Sequence, residues 1–227
     1  MLNLSRLALL FSVTVAVHAT AQDVQLSDKT LGLKPPEGAI VLFGDNIAGW
    51  VKKGSDTPAT WPVKDSILTV KGGDIQTKEK FGDFELHVEF NVPYMPDKKG
   101  QARGNSGVYL GGIHELQVLD SYGLKLQTND CGAIYQQIIP SVNACKPPLQ
   151  WQTYDITFHA AKVKDGQVEK KARLTVIHNG VKTIDDKEIN PTPGGVSDIK
   201  SGEKGPIMLQ DHGNAVQYRN IWIKPLG

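Results

Sequence analysis

The stretch Phe84 to Val92, "FELHVEFNV", constrains this chain more than any other. Phe84, Leu86, Val88, Phe90 and Val92 alternate with Glu85, His87, Glu89 and Asn91, a period of two that only a β-strand with one buried face can satisfy. Runs of similar character recur at "AIVLFGDN", "SGVYLGG", "HELQVLD", "GAIYQQ", "WQTYDITFHA", "KARLTVIHNGVKTID", "GPIMLQDHG" and "AVQYRNIWIKP". Asn179-Gly180 within the sixth of these is a favoured two-residue hairpin turn. No segment of 11 or more residues has helical spacing, and 23 Gly with 13 Pro punctuate the chain throughout. The expectation is an all-β protein, an antiparallel β-sandwich or jelly roll of about a dozen strands.

The N-terminus reads differently. Arg6, the apolar run Leu7 to Val17 and the small-x-small sequence Ala19-Thr20-Ala21 form a secretory signal over residues 1–21, too short to span a bilayer. Residues 22–38, with "LKPPEG", read as an extended arm, and residues 39–227 as a single jelly-roll domain. No Cys follows the cleavage site, so a soluble exported protein, periplasmic or secreted, is expected rather than a lipid-anchored one. About 206 residues then remain, enough for one β-domain with a full core. A formal charge of +1 gives no reason to expect nucleic acid or an anionic membrane surface as a partner. In an oxidising compartment Cys131 and Cys145 are expected to form a disulfide, whose loop would contribute about 3 kcal/mol. Zinc needs about four ligands, and neither Cys has a Cys or His at ligand spacing.

The chemistry-bearing residues cluster in two places. On "HELQVLD" the core takes Leu116 and Val118, which sends Glu115 and Gln117 to the opposite side, roughly 7 Å apart. Asp120 needs a bulge or the strand end to join them. Polar residues on an outer face are also what plain solvation produces, so company is required to make a site. "LQDHGNAVQYRNIWI" supplies it, with Gln210, Asp211, His212 and Arg219; His212 lies beside Gly213 at a turn, where an imidazole can act as acid or base. Simple alternation puts Gln217, Arg219 and Ile221 on one face and Tyr218, Asn220 and Trp222 on the other. Arg219 would pair with Glu115 or donate to substrate oxygens. Tyr109 and Trp151 are packing residues or, if exposed in a groove, platforms for a sugar ring. His87, His159 and His178 sit in periodic strands and are taken as structural. The basic, Gly/Pro-rich "PYMPDKKGQARGN" borders the hairpin. There is no Gly-x-Ser-x-Gly elbow, no phosphate-binding Gly-Lys-Ser/Thr loop and no His-Glu-x-x-His.

Taken together, "NSGVYLGG…HELQVLDS", "CGAIYQ", "WQTYDITFHAA", "ARLTVIHNGV" and "GPIMLQDHGNAVQYRNIWI" resemble the 3-keto-disaccharide hydrolase domain family, formerly a domain of unknown function, from about Ala39 to Ile223. The resemblance implies a concanavalin A-like jelly roll and an exported enzyme of carbohydrate metabolism whose substrate carries a ketone at the third carbon of one ring. An ordinary glycosidase needs two carboxylates, and the Glu115 side offers Gln117 and Leu119 instead of a second acid. A ketone makes the hydrogen on the neighbouring carbon acidic, so elimination of the glycosidic oxygen and addition of water need one base, one acid and donors to the enolate. Glu115 and His212 are the candidates for base and acid, in either order, with Tyr109, Gln117, Asp120, Trp151, Asp211 and Arg219 as substrate-binding residues. No cofactor is established; a divalent cation held by Asp120, Asp211 and carbonyls is an open alternative. A non-catalytic sugar-binding module and a conventional glycosidase with its second acid on another strand also stay open.

Overall fold

A computed structural model describes residues 26–227; the expected secretory signal, residues 1–21, lies outside them. Fifteen strands follow one another among the described residues: β1 (Ile40–Phe43), β2 (Trp50–Lys52), β3 (Val63–Lys64), β4 (Ile67–Thr69), β5 (Ile75–Thr77), β6 (Phe84–Asn91), β7 (Asn105–Leu110), β8 (His114–Leu119), β9 (Gln152–His159), β10 (Lys162–Lys164), β11 (Gln167–Lys170), β12 (Ala172–His178), β13 (Val181–Ile189), β14 (Met208–Leu209) and β15 (Gln217–Pro225). An eight-stranded sheet runs β13-β12-β9-β6-β15-β4-β3, with β1 also on β15, and a five-stranded sheet runs β2-β5-β14-β7-β8. All pairings in both are antiparallel. Two such sheets closing on one core form the concanavalin A-like jelly roll that the resemblance implied. No helix of the described residues is long and apolar enough to cross a membrane.

The alternating stretch sits at the centre of the large sheet. Phe84, Leu86, Val88, Phe90 and Val92 are all buried in the core, each worth about 2 kcal/mol of apolar transfer. Phe84 stacks on Phe158 at 4.9 Å, and Phe90 lies 4.6 Å from Tyr154. The opposing sheet contributes Val108, Leu110, Leu116, Val118 and Leu209. Polar bolts cross between the layers: the Tyr154 hydroxyl donates to Gln117 O at 2.7 Å, and Ser106 Oγ meets the Tyr218 hydroxyl at 2.7 Å. Both tyrosine hydroxyls, buried between the layers, are thereby hydrogen-bonded.

Turn chemistry follows residue type. Asn179 and Gly180 have φ of 49° and 78°, the left-handed pair that a two-residue hairpin between β12 and β13 demands.

Three sequence expectations are corrected. "GAIYQQ" is not a strand: Gln136 is left-handed at φ 58°, Ile134 folds back on Ile138, and the resulting turn caps the edge of β8 through Gln117 N to Ala133 O and Tyr135 N to Glu115 O. β15 does not alternate simply, because a bulge shifts its register between Arg219 and Trp222, with Asn220 at φ 43°. The extra residue puts Arg219, Asn220 and Trp222 on the outer face while Tyr218, Ile221 and Ile223 fill the core. Finally, Cys131 and Cys145 are both buried free thiols in place of the expected bridge.

Candidate active site

The outer face of the five-stranded sheet is not a solvated surface. On β8, Leu116 and Val118 enter the core as the alternation requires, and the opposite side chains, Glu115 at 3% and Gln117 at 1% exposure, are covered by loops. These loops and the β7–β8 hairpin enclose a cavity of about 200 Å³ lined by Gln101, Asn105, Tyr109, Glu115, Gln117, Tyr135, Pro193, Gly194, Gln210 and His212. Five residues singled out from sequence, Tyr109, Glu115, Gln117, Gln210 and His212, therefore share one chamber. A larger groove of about 430 Å³ runs beside β1, but its charged residues, Asp45, Lys78 and Glu79, are all exposed.

Strand register builds the floor. Tyr109 pairs with Glu115 and Gly107 with Gln117. The Tyr109 hydroxyl donates to Glu115 Oε2 at 2.8 Å. Gly107 is where that carboxylate rests: a Cβ there would stand 2.7 Å from Glu115 Oε1 and 3.1 Å from Cγ. Burial pushes the Glu115 carboxyl up to about 7, the Tyr109 hydrogen bond pulls it back, and the Asp74 carboxylate adds to the rise. A glutamate poised there exchanges a proton near neutrality.

The walls carry unfilled hydrogen-bonding capacity. Gln117 Nε2 donates to Gln101 Oε1 at 3.0 Å and also faces Asn105 Oδ1 and Asn129 O. That orients Gln117 Oε1, which has no partner among the described residues although it is buried; Gln210 Oε1 is in the same condition. Buried acceptors cost free energy unless a donor arrives, and sugar hydroxyls are such donors. His212 is exposed at the mouth.

The remaining sequence candidates lie elsewhere. Asp211 is not in the lining; its carboxylate accepts from Gly73 N and Gly213 N, each at 2.8 Å, while Asp74 Oδ1 accepts from Asp211 N. It shapes the turn that presents His212. Asp120 also stands outside the lining, its backbone tied to Gly104 O and to the Arg103 guanidinium. Arg219 and Trp151 belong to the opposite face of the molecule. Arg219 Nε donates to Glu89 Oε2 at 2.6 Å, with its guanidinium carbon 4.1 Å from the Trp151 ring centre. Arg219 therefore pairs with Glu89, its cross-strand partner on β6, and not with Glu115, because β15 belongs to the large sheet and its outer face points away from β8. Among the described residues, the three groups arranged to ligate a metal are Cys131, Cys145 and His178, all buried in the core and away from the cavity.

Gln101, Asn105, Tyr135 and Gly194 escaped the sequence reading. Gln101 sits in the loop that borders the hairpin, Tyr135 in the "GAIYQQ" run expected to be a strand, and Pro193-Gly194 in a stretch that carries no motif.

A β-sandwich with a carboxylate, an imidazole and unfilled acceptors in one small chamber defines a carbohydrate-active protein of the glycosyl hydrolase-like jelly rolls. The chain matches the 3-keto-alpha-glucoside-1,2-lyase-like domain family over residues 38–224 and belongs to it. It is 27% identical to a 3-keto-disaccharide hydrolase of Bacteroides thetaiotaomicron, across 84% of this chain and 79% of that one. A solved structure of a candidate glycosyl hydrolase from Parabacteroides distasonis is 39% identical, with a TM-score of 0.75 over 84% of this chain and 85% of that one. A second such structure from the same organism, at 24% identity and a TM-score of 0.58 over 83% and 99% of the two chains, shares the fold.

Proposed function

We propose that this protein cleaves the glycosidic bond of a sugar oxidised to a ketone at C3, by elimination across C1–C2 followed by hydration. The observation that carries this reading is the composition of the chamber: Glu115 is the one carboxylate among the described residues that line it. Paired-carboxylate hydrolysis requires two, about 5 to 9.5 Å apart, whereas proton abstraction beside a ketone requires one base and one acid. The family and the Bacteroides thetaiotaomicron relative carry names that fit a 3-keto glycoside.

The geometry suggests which group does which task. A chamber of about 200 Å³ is below the roughly 300–1,000 Å³ of drug-sized pockets, so it takes one ring and leaves the rest of the substrate outside. The ring is held with its hydroxyls donating to Gln117 Oε1 and Gln210 Oε1. Glu115, on the floor, takes the C2 hydrogen. Its electron pair forms the C1=C2 bond as the C1–O bond breaks, and His212, at the mouth where the leaving group departs, protonates the released oxygen. Tyr135 contributes a hydroxyl at the wall toward the ketone oxygen, where negative charge builds. Water then adds to C1, giving its proton to His212, and Glu115, whose carboxyl proton exchanges with solvent while the unsaturated ring is bound, returns a proton to C2. The net reaction is hydrolysis with both groups restored. We place it outside the cytoplasm, on the strength of the N-terminal signal sequence.

Purified protein incubated with a 3-keto-disaccharide and, separately, with its unoxidised parent tests the reading in heavy water, with and without chelator. The expected result is cleavage of the keto form alone with solvent deuterium entering at C2, and a loss of about a thousandfold in kcat for Glu115→Gln. Equal cleavage of both sugars would establish a conventional glycosidase, and binding without cleavage a recognition module.

A further inference from the structure

Tyr109 is fully buried, so it offers no ring face to a sugar and cannot be the stacking platform that its aromatic character suggested. What it presents is one hydrogen and several neighbours. Its Oη lies 2.8 Å from Glu115 Oε2 and 3.0 Å from Pro193 O, both acceptors, while Gln210 Nε2 donates to it from 3.4 Å. A phenol has a single hydrogen to give. An ionised carboxylate competes for it more strongly than a neutral carbonyl.

We infer that Tyr109 is the positioning residue that makes Glu115 a base of fixed orientation: its hydroxyl occupies Oε2 and leaves Oε1 as the oxygen that receives the proton. The surrounding contacts are built for this. The Oε1 side lies over Gly107, where any Cβ would collide at 2.7 Å, and the Tyr109 Oη side lies against Gly194, where a Cβ would again stand at 2.7 Å. The two glycines thus leave the space that the Tyr109–Glu115 pair occupies at either end. Burial and the carboxylates of Glu115 and Asp74 push the Tyr109 phenol well above its ordinary value, so it donates a hydrogen bond without surrendering the proton. When Glu115 is protonated, the phenol hydrogen keeps an acceptor, either the carboxyl oxygen or Pro193 O, so neither proton state strands a buried donor.

The groups facing Glu115 are Tyr109 from its partner strand β7, Asp74 ahead of β5, Tyr135 from the turn capping β8, and His212 from the loop after β14. Lys53 stands behind Asp74 at 3.2 Å and holds Gly194 O. Of these, Tyr109 is the donor to the carboxylate, so its removal has a sign opposite to that of general loosening.

The kinetic consequence rests on the elimination reading; the titration does not. Carboxyl-labelled glutamate in the intact protein, followed by carbon NMR across pH without substrate, reports Glu115 once its signal is assigned by loss in Glu115→Gln. Tyr109→Phe is expected to raise the Glu115 midpoint by about one pH unit. With a 3-keto-disaccharide, the acid limb of kcat/KM should move up by the same amount while kcat falls about 10- to 100-fold and KM stays within about threefold. Should the Phe variant not fold, 3-fluorotyrosine at position 109 keeps the shape and strengthens the donor, and the midpoint should fall. An unchanged Glu115 midpoint in the folded variant overturns the inference. A shifted midpoint in a protein whose wild type cleaves no keto sugar sustains it and overturns the proposed reaction instead.

Discussion

Two buried glutamates, one on the outer face of each sheet, have been driven in opposite directions. Glu89, on the large sheet, is withdrawn from solvent and would be raised by burial alone. Yet His87 stands 3.5 Å from it, and it accepts hydrogen bonds from Asn220 Nδ2, Gly32 N and Arg219 Nε, which together hold it at about 2. Glu115, on the small sheet, receives one side-chain donor, Tyr109, and burial wins, taking it to about 7. The lesson is that burial does not decide a carboxylate's role; the number of donors aimed at it does. The first glutamate is a fastener. The segment around Gly32 and Leu33 lies on it, with Leu33 O accepting from Asn220 and Trp222, and His87 bridges to Asp155 at 2.6 Å while stacking on Trp222. The second is left with one donor beside an open volume, the condition that the proposed proton transfer requires.

The sharpest way to break the contrast is to remove the charge from Glu89. Glu89→Gln leaves Arg219 and His87 facing no carboxylate there, and unfolding in denaturant at pH 7 should show a loss of about 3 kcal/mol with keto-sugar cleavage retained. A large fall in activity at unchanged fold would mean that the two faces are coupled.

Stability against pH should separate the glutamates next. Glu89 is lowered in the fold, so its contribution of about 3 kcal/mol is present above the unfolded value near 4.5 and lost as pH falls toward 2. Glu115 is raised, so it favours the fold below about 4.5 and loses that advantage as pH climbs through 7. Glu115→Gln should therefore gain about 1 to 3 kcal/mol over the wild type at pH 8 and little at pH 5, measured by thermal unfolding at both values. His87, raised by Asp155 and Glu89 against the opposing effect of burial, adds a further loss above neutrality common to both proteins. Equal gains at pH 5 and 8 would show that Glu115 is not strained by its charge.

The smallest change is Gly107→Ala. One methyl aimed 2.7 Å from Glu115 Oε1 should cost about 1 to 2 kcal/mol of stability and lower kcat about tenfold, without touching the Glu89 cluster. Full activity would show that the carboxylate has room to move.

Much of this was legible beforehand. The alternation of residues 84–92 placed five side chains in the core, and Leu116 and Val118 forced Glu115 and Gln117 to the opposite face, because a strand has only two sides. Asn179-Gly180 announced its turn, because few other pairs accept left-handed angles twice in succession. Arg219 and Trp151 were misplaced for a reason equally physical: alternation tells which residues of a strand face outward but not which sheet the strand joins, and β9 and β15 both flank β6 in the large sheet, away from β8.

The sequence by itself determined the architecture and the separation of core from outer faces, since these depend on short-range periodicity and on which side chains avoid water. Tertiary structure alone decided which outer face became a site. Chain segments around positions 101, 135, 194 and 212 converge over Glu115 only after β14 slots between β5 and β7, and donors from around Gly32 and Asn220 converge on Glu89 only after the segment preceding β1 lies down on the large sheet. Burial and hydrogen bonding act through space, so identical residues acquired opposite proton affinities from neighbours far away in sequence.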